Sequence, residues 1–179
     1  MIKLHTPAAK ILKALHVFCM TLWIGSLVTW LPLINSMPLQ DKDAALTTYL
    51  TMKAIAWNVI GWGGITSFVT GLLNALLTTW GIWRHTWVRI KLIGTIGMII
   101  LGMFYTEQKM LANIRLLEGG GPETLKAPEF LANHHAIQVI VPIQLVLFFL
   151  IVLISVWKPF QRVAVVKNGD AQKLSRITP

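Results

Sequence analysis

"LKALHVFCMTLWIGSLVTWLP" (Leu12 to Pro32) carries no Asp, Glu, Lys or Arg after Lys13. A helix needs about 20 mostly apolar residues to cross the hydrocarbon core of a bilayer, and this stretch supplies them. Lys3, Lys10 and Lys13 precede it, as basic residues precede a signal peptide. The run is longer than a signal-peptide core and lacks a small-x-small cleavage site, so we expect a retained membrane helix. One residue in it is out of place: His16 lies just inside the apolar run.

The rest of the chain repeats the pattern. Of its 179 residues 55% are hydrophobic and 13% charged. A soluble globule averages about 25% charged residues, so the composition is that of a membrane protein. Four segments are long and apolar enough to span, at residues 14–34, 54–80, 88–105 and 136–157. "NSMPLQDKD" (Asn35 to Asp43), "GIWRHTW" (Gly81 to Trp87) and "EGGGPETLKAPE" (Glu118 to Glu129) break them. The expected fold is an all-α integral membrane four-helix bundle over residues 1–160, with an outer loop at 106–133 and a basic tail at 161–179. Within that loop Met110, Ile114 and Leu117 keep a helical period, so the third helix is expected to project beyond the membrane.

The net charge of +9 excludes little by itself, but the placement of the charges does. They fall in short clusters between apolar runs and at the tail, which argues against nucleic acid as a partner. With the N-terminus inside, one side holds 11 of the 16 basic residues and only Asp170 of the seven acids. The positive-inside rule then gives both termini cytoplasmic (N-in, C-in). Trp30, Trp57, Trp80, Trp83, Trp87 and Trp157 lie near the ends of the spans, where interfacial belts form. A single cysteine, Cys19, excludes an internal disulfide framework.

Ionisable groups inside spans are costly and mark functional sites or satisfied packing residues. Steps of three and four put His16, Met20, Trp23, Leu27 and Trp30 on one stripe of the first helix, and Lys91, Thr95, Met98, Gly102 and Tyr105 on one stripe of the third. The second helix offers Ser67, Thr70, Gly71, Asn74 and Thr78, with glycines that permit close approach or room for a flat ligand. His16, Lys91 and Asn74 share a depth near the cytoplasmic end and can converge on one cavity, as cofactor sites in bundles do. His134 and His135 begin the fourth helix at the other end, roughly 35 Å away along the helix axis. They are alternative metal ligands that cannot share one iron with His16. Met20, Met98 and Met103 are candidate soft copper ligands, although methionine at helical spacing also serves as core.

Three segments carry a family resemblance. "LKALHVFCMTLWIGSLVTWLP" resembles the first helix of the HemJ-type protoporphyrinogen IX oxidases, with Lys13, Ala14, Leu15, His16, Trp23, Leu31 and Pro32 in register. "WVRIKL" (Trp87 to Leu92) resembles the start of that family's third helix, and "VPIQLVLFFLIVLISVWKPF" (Val141 to Phe160) its last helix. The wider superfamily, which includes CopD-type copper-resistance proteins, shares the first-helix pattern. The chain departs from the pattern at Leu33, where the family usually has Arg, at Arg89, where it has His, and at Val139-Ile140-Val141, which replace an Asn-Glu pair. The resemblance implies a divergent member that binds heme b in a bacterial inner (plasma) membrane, with His16 and Lys91 as axial ligands. Trp23, Asn74 and Thr95 are candidate pocket neighbours. It also implies oxidation of a porphyrinogen, or electron relay to a quinone-type acceptor. The alternatives are CopD-like copper transport, and a cofactor-free structural subunit of a membrane complex or homo-oligomer embedded in lipid.

Overall fold

The computed structural model describes residues 6–77 and 85–158, and every element in them is helical. Four long helices alternate in direction: α1 (Thr6–Asn35), α2 (Lys42–Leu77), α3 (Thr86–Gly119) and α4 (Pro128–Trp157). A short 3-10 turn, Pro122–Lys126, joins α3 to α4. All four helices are long and apolar enough to cross a membrane. Because they alternate, one end of the bundle gathers the start of α1, the end of α2, the start of α3 and the end of α4. We call it the near end, and the opposite one the far end.

The helices begin and stop for local chemical reasons. Asp41 Oδ1 accepts from the backbone N–H groups of Asp43 at 3.0 Å and Ala44 at 3.2 Å, which caps the exposed donors at the start of α2. The α3 helix ends at a glycine run, where Gly120 N–H closes on Leu116 O at 3.1 Å. Pro128 opens α4 at a position where no N–H is needed. Lys158 closes it with a left-handed φ of 47°, ahead of a proline that cannot continue the helix.

All four helices extend beyond the spans read from apolar run length: α1 and α4 start eight residues earlier, at Thr6 and Pro128, and the two middle helices extend further still. The second starts at Lys42 rather than 54, because Ala45, Tyr49 and Met52 form a buried stripe in a segment too polar to register as a span. The third runs on to Gly119, so most of the expected outer loop is helix, with Met110, Ile114 and Leu117 all buried. Their partners are Trp30, Ile34, Phe130, Ile137 and Val141, which complete the far-end core. Trp30 and Trp87 are buried within the bundle, while Trp57 and Trp157 are exposed. Trp80, Trp83, Thr78 and the tail from 161 onward lie outside the described residues.

Each of the middle helices contains one π-helical turn, Ala56–Ile60 in α2 and Gly102–Thr106 in α3. Both lie about 25 Å from the near end at 1.5 Å per residue, so they stand at one level. A π turn inserts a residue and rotates the helix beyond it. The stripe through Lys91, Thr95 and Met98 therefore continues through Thr106, which is 2% exposed, and leaves Tyr105 at 43%. On the far side of the π turns α2 and α3 pack together. On the near side they draw apart, each held mainly by a different neighbour: α2 by α1, and α3 by α4.

Candidate functional site

The separation of the two helix pairs opens a cavity of about 480 Å³ in the near half, lined from all four helices. Its size falls in the range of small-molecule and cofactor sites. Trp23 closes it toward the far end, its ring edge-on to Phe148 at 4.8 Å and 79°, with Met98 and Ile151 packed around the pair. Ala75, Trp87 and Val88 pack together at the near end. The α2 glycines permit the close α1–α2 contact: a Cβ on Gly63 would lie 3.1 Å from the Trp23 backbone nitrogen.

All five residues singled out as cofactor neighbours line this cavity: His16, Trp23, Asn74, Lys91 and Thr95. His16 is held by α2. Its Nδ1 lies 3.0 Å from Ser67 O and 3.1 Å from Thr70 Oγ1. A backbone carbonyl can only accept, so Nδ1 carries a proton, and in the neutral ring Nε2 is the lone-pair nitrogen. That Nε2 is buried and has no hydrogen-bond partner. An orphaned acceptor costs about 1–3 kcal/mol, a cost that coordination to a metal would offset. Imidazoles that ligate metals commonly donate their other N–H to a backbone carbonyl, as this one does.

Lys91 lines the same cavity from α3. Its Nζ donates to Ser155 Oγ of α4 at 3.1 Å. Asn74 Nδ2 donates to Leu12 O at 3.3 Å and Thr70 O at 2.9 Å, tying α2 to the start of α1. Among the described residues the lining contains three lysines (Lys13, Lys91 and Lys158) and His16, and no carboxylate. Sequence spacing placed Ser67, Thr70 and Gly71 on one face of α2. It did not reveal that this face holds the imidazole.

The other candidates lie elsewhere. His134 is buried at the far end, where its Nδ1 shares a hydrogen bond with Tyr49 Oη at 3.0 Å and Asn113 Nδ2 donates to Tyr49 Oη at 2.8 Å. Its ring stacks on Phe130 with centroids 6.1 Å apart. Tyr49 and Asn113 did not stand out in the sequence, since neither belongs to a recognisable motif. His135 is exposed and does not join this network. Met20 and Met98 line the cavity, whereas Met103 is exposed, so the three methionines do not converge. No cluster of three His, Cys, Asp or Glu side chains occurs among the described residues.

The donor set fits a heme better than a bare metal ion, because it offers one imidazole nitrogen and one amine within a largely apolar cavity rather than a closed cage of ligands. No family model, curated protein or solved structure matches the chain.

Proposed function

We propose that this chain is a heme b protein of the bacterial inner membrane, a divergent relative of the HemJ-type protoporphyrinogen IX oxidases with N-in, C-in topology. On this reading it oxidises a porphyrinogen or relays electrons to a quinone-type acceptor. The observation that carries the proposal is His16: a half-buried imidazole fixed through Nδ1, with a buried and unpartnered Nε2, on the wall of a cavity that Lys91 also lines.

A heme bound there supplies the redox couple, and the chain supplies binding, orientation and exclusion of water. His16 would hold the heme iron through its unpartnered Nε2. Ser67 O and Thr70 Oγ1 hold its N–H, which sets the tautomer and raises the basicity of Nε2. Lys91 would be the second residue to hold the iron, its Nζ now donating to Ser155 Oγ. As an amine it ligates only when unprotonated. Trp23 and Phe148 keep the far side of the cavity dry.

The test is a reduced-minus-oxidised spectrum of the purified protein supplied with heme. A Soret band with stoichiometric heme supports the reading, and its absence ends it. Copper bound in stoichiometric amount and lost on substitution of Met20 or Met98 would favour copper transport instead.

A further inference from the structure

The wall of the cavity is not sealed all round. On the α2–α3 side its residues, among them Phe68, Leu72 and Leu92, are buried or half-buried. On the α1–α4 side the wall includes side chains that are also exposed on the outside of the bundle. Val17 is 52% exposed and Val156 is 67% exposed, and Lys13 and Thr21 are exposed beside Val17. A residue that both lines the cavity and faces outward marks an opening, and these four place it between α1 and α4.

The chemistry of the opening is graded. Toward the middle of the helices it is bordered by Val17, Thr21 and Val152. At the near end it is bordered by Lys13 of α1 and Lys158, the cap of α4. A shallow groove lined by Lys10, Lys13, Ala14, Val17 and Phe18 continues from it along the outside of α1. Trp157, largely exposed beside Lys158, is the type of residue that sits at a membrane–water boundary. The slot therefore faces acyl chains over most of its length and headgroups at its lysine end.

We infer that the cavity is loaded sideways from the near leaflet through the α1–α4 slot, and that it takes a membrane-dissolved amphiphile with an anionic end held by Lys13 and Lys158. The excess of lysine and histidine over carboxylates among the described lining residues selects for an anion, and the apolar remainder of the lining selects for a hydrophobic body. A cavity of about 480 Å³ suits a compact or single-chain carboxylate better than a two-chain phospholipid. The inference stands on the cavity and its rim and does not require heme.

A photoreactive test uses the full-length protein in nanodiscs with a diazirine fatty acid, and the diazirine alcohol of equal chain length as the neutral comparison. The acid is expected to label cavity residues such as Met20 and Leu92, and the alcohol to label mainly outward residues such as Phe18 and Phe149. Lys13→Gln with Lys158→Gln is expected to cut cavity labelling by the acid about tenfold, from a modest contribution at each partly exposed charge. Val17→Trp, which narrows the slot without touching the lysines, is expected to slow labelling severalfold. Equal cavity labelling by acid and alcohol, labelling confined to outward residues, or labelling that neither variant changes would overturn the inference. Because heme and probe would compete for one cavity, labelling is read on the heme-free protein: there, absent cavity labelling rejects the slot whatever the spectrum of the heme-supplied protein, and labelling in a protein that gives no Soret band when supplied with heme keeps the slot and rejects the heme.

Discussion

His16 and Gly71 are fitted to each other: a Cβ on residue 71 would stand 2.9 Å from the imidazole Cε1 and 3.6 Å from Nε2. The first distance is closer than a methyl and a ring can pack. The absence of a side chain on α2 is thus the space in which the ring of α1 lies. Ser67 and Thr70, within one turn of Gly71 on α2, hold the Nδ1 edge of the same ring.

Gly71→Ala is therefore expected to push the imidazole off its two acceptors, with an overpacking cost of about 1–3 kcal/mol. Heme occupancy should fall sharply and the detergent-solubilised protein should melt earlier. Gly25→Ala is the control, because nothing lies within 4 Å of a Cβ there. Absorbance spectra and thermal melts of the two variants side by side decide the matter, and equal behaviour would remove Gly71 from the site.

His16→Ala should abolish the Soret band. Lys91→Ala should leave a weaker band, shifted by loss of the second ligand and sensitive to added carbon monoxide. An unchanged spectrum in Lys91→Ala would keep the heme and reject Lys91 as its ligand.

Thr70→Val removes one acceptor from His16 Nδ1 and leaves the Ser67 carbonyl in place. Loss of a partner behind a metal-bound imidazole costs about 10–100-fold in affinity, and the remaining carbonyl argues for the lower figure. Heme titration of the variant measures it.

Tyr49→Phe deletes the hydroxyl that joins Asn113 to His134 at the far end. With those polar atoms left buried and short of a partner, a loss of about 1–3 kcal/mol in stability is expected. Heme content should not change, since the cavity lies in the other half of the bundle. A variant that loses heme but not stability would place Tyr49 in the functional machinery.

The four spans were legible because apolar run length is a direct consequence of bilayer thickness. The stripe His16–Met20–Trp23 and the shared depth of His16 and Lys91 followed from helical geometry alone, and in the structure these residues line one cavity. What escaped the sequence was non-periodic. Steps of three and four predicted Tyr105 on the Lys91 stripe, but the π turn hands that place to Thr106. The partners of His16 Nδ1 come from residues 51 and 54 positions away, and no local pattern announces them. The amphipathic start of α2, "DKDAALTTYLTMK", is helical through an aspartate cap and three buried side chains, not through its hydropathy.

The level shared by the two π turns makes α2 and α3 behave as the arms of tongs. The pivot is the far-end core, where Tyr49, Met110, Asn113 and Phe130 are wholly buried. The tips meet at the near end through Ala75, Trp87 and Val88, with far less packing between them than at the pivot. Movement at Lys91 and Asn74 would thus be a hinge motion of whole helix segments, and amide exchange should be slow beyond the π turns and faster on the cavity side. A ligand of variable width can then be held by one rigid frame.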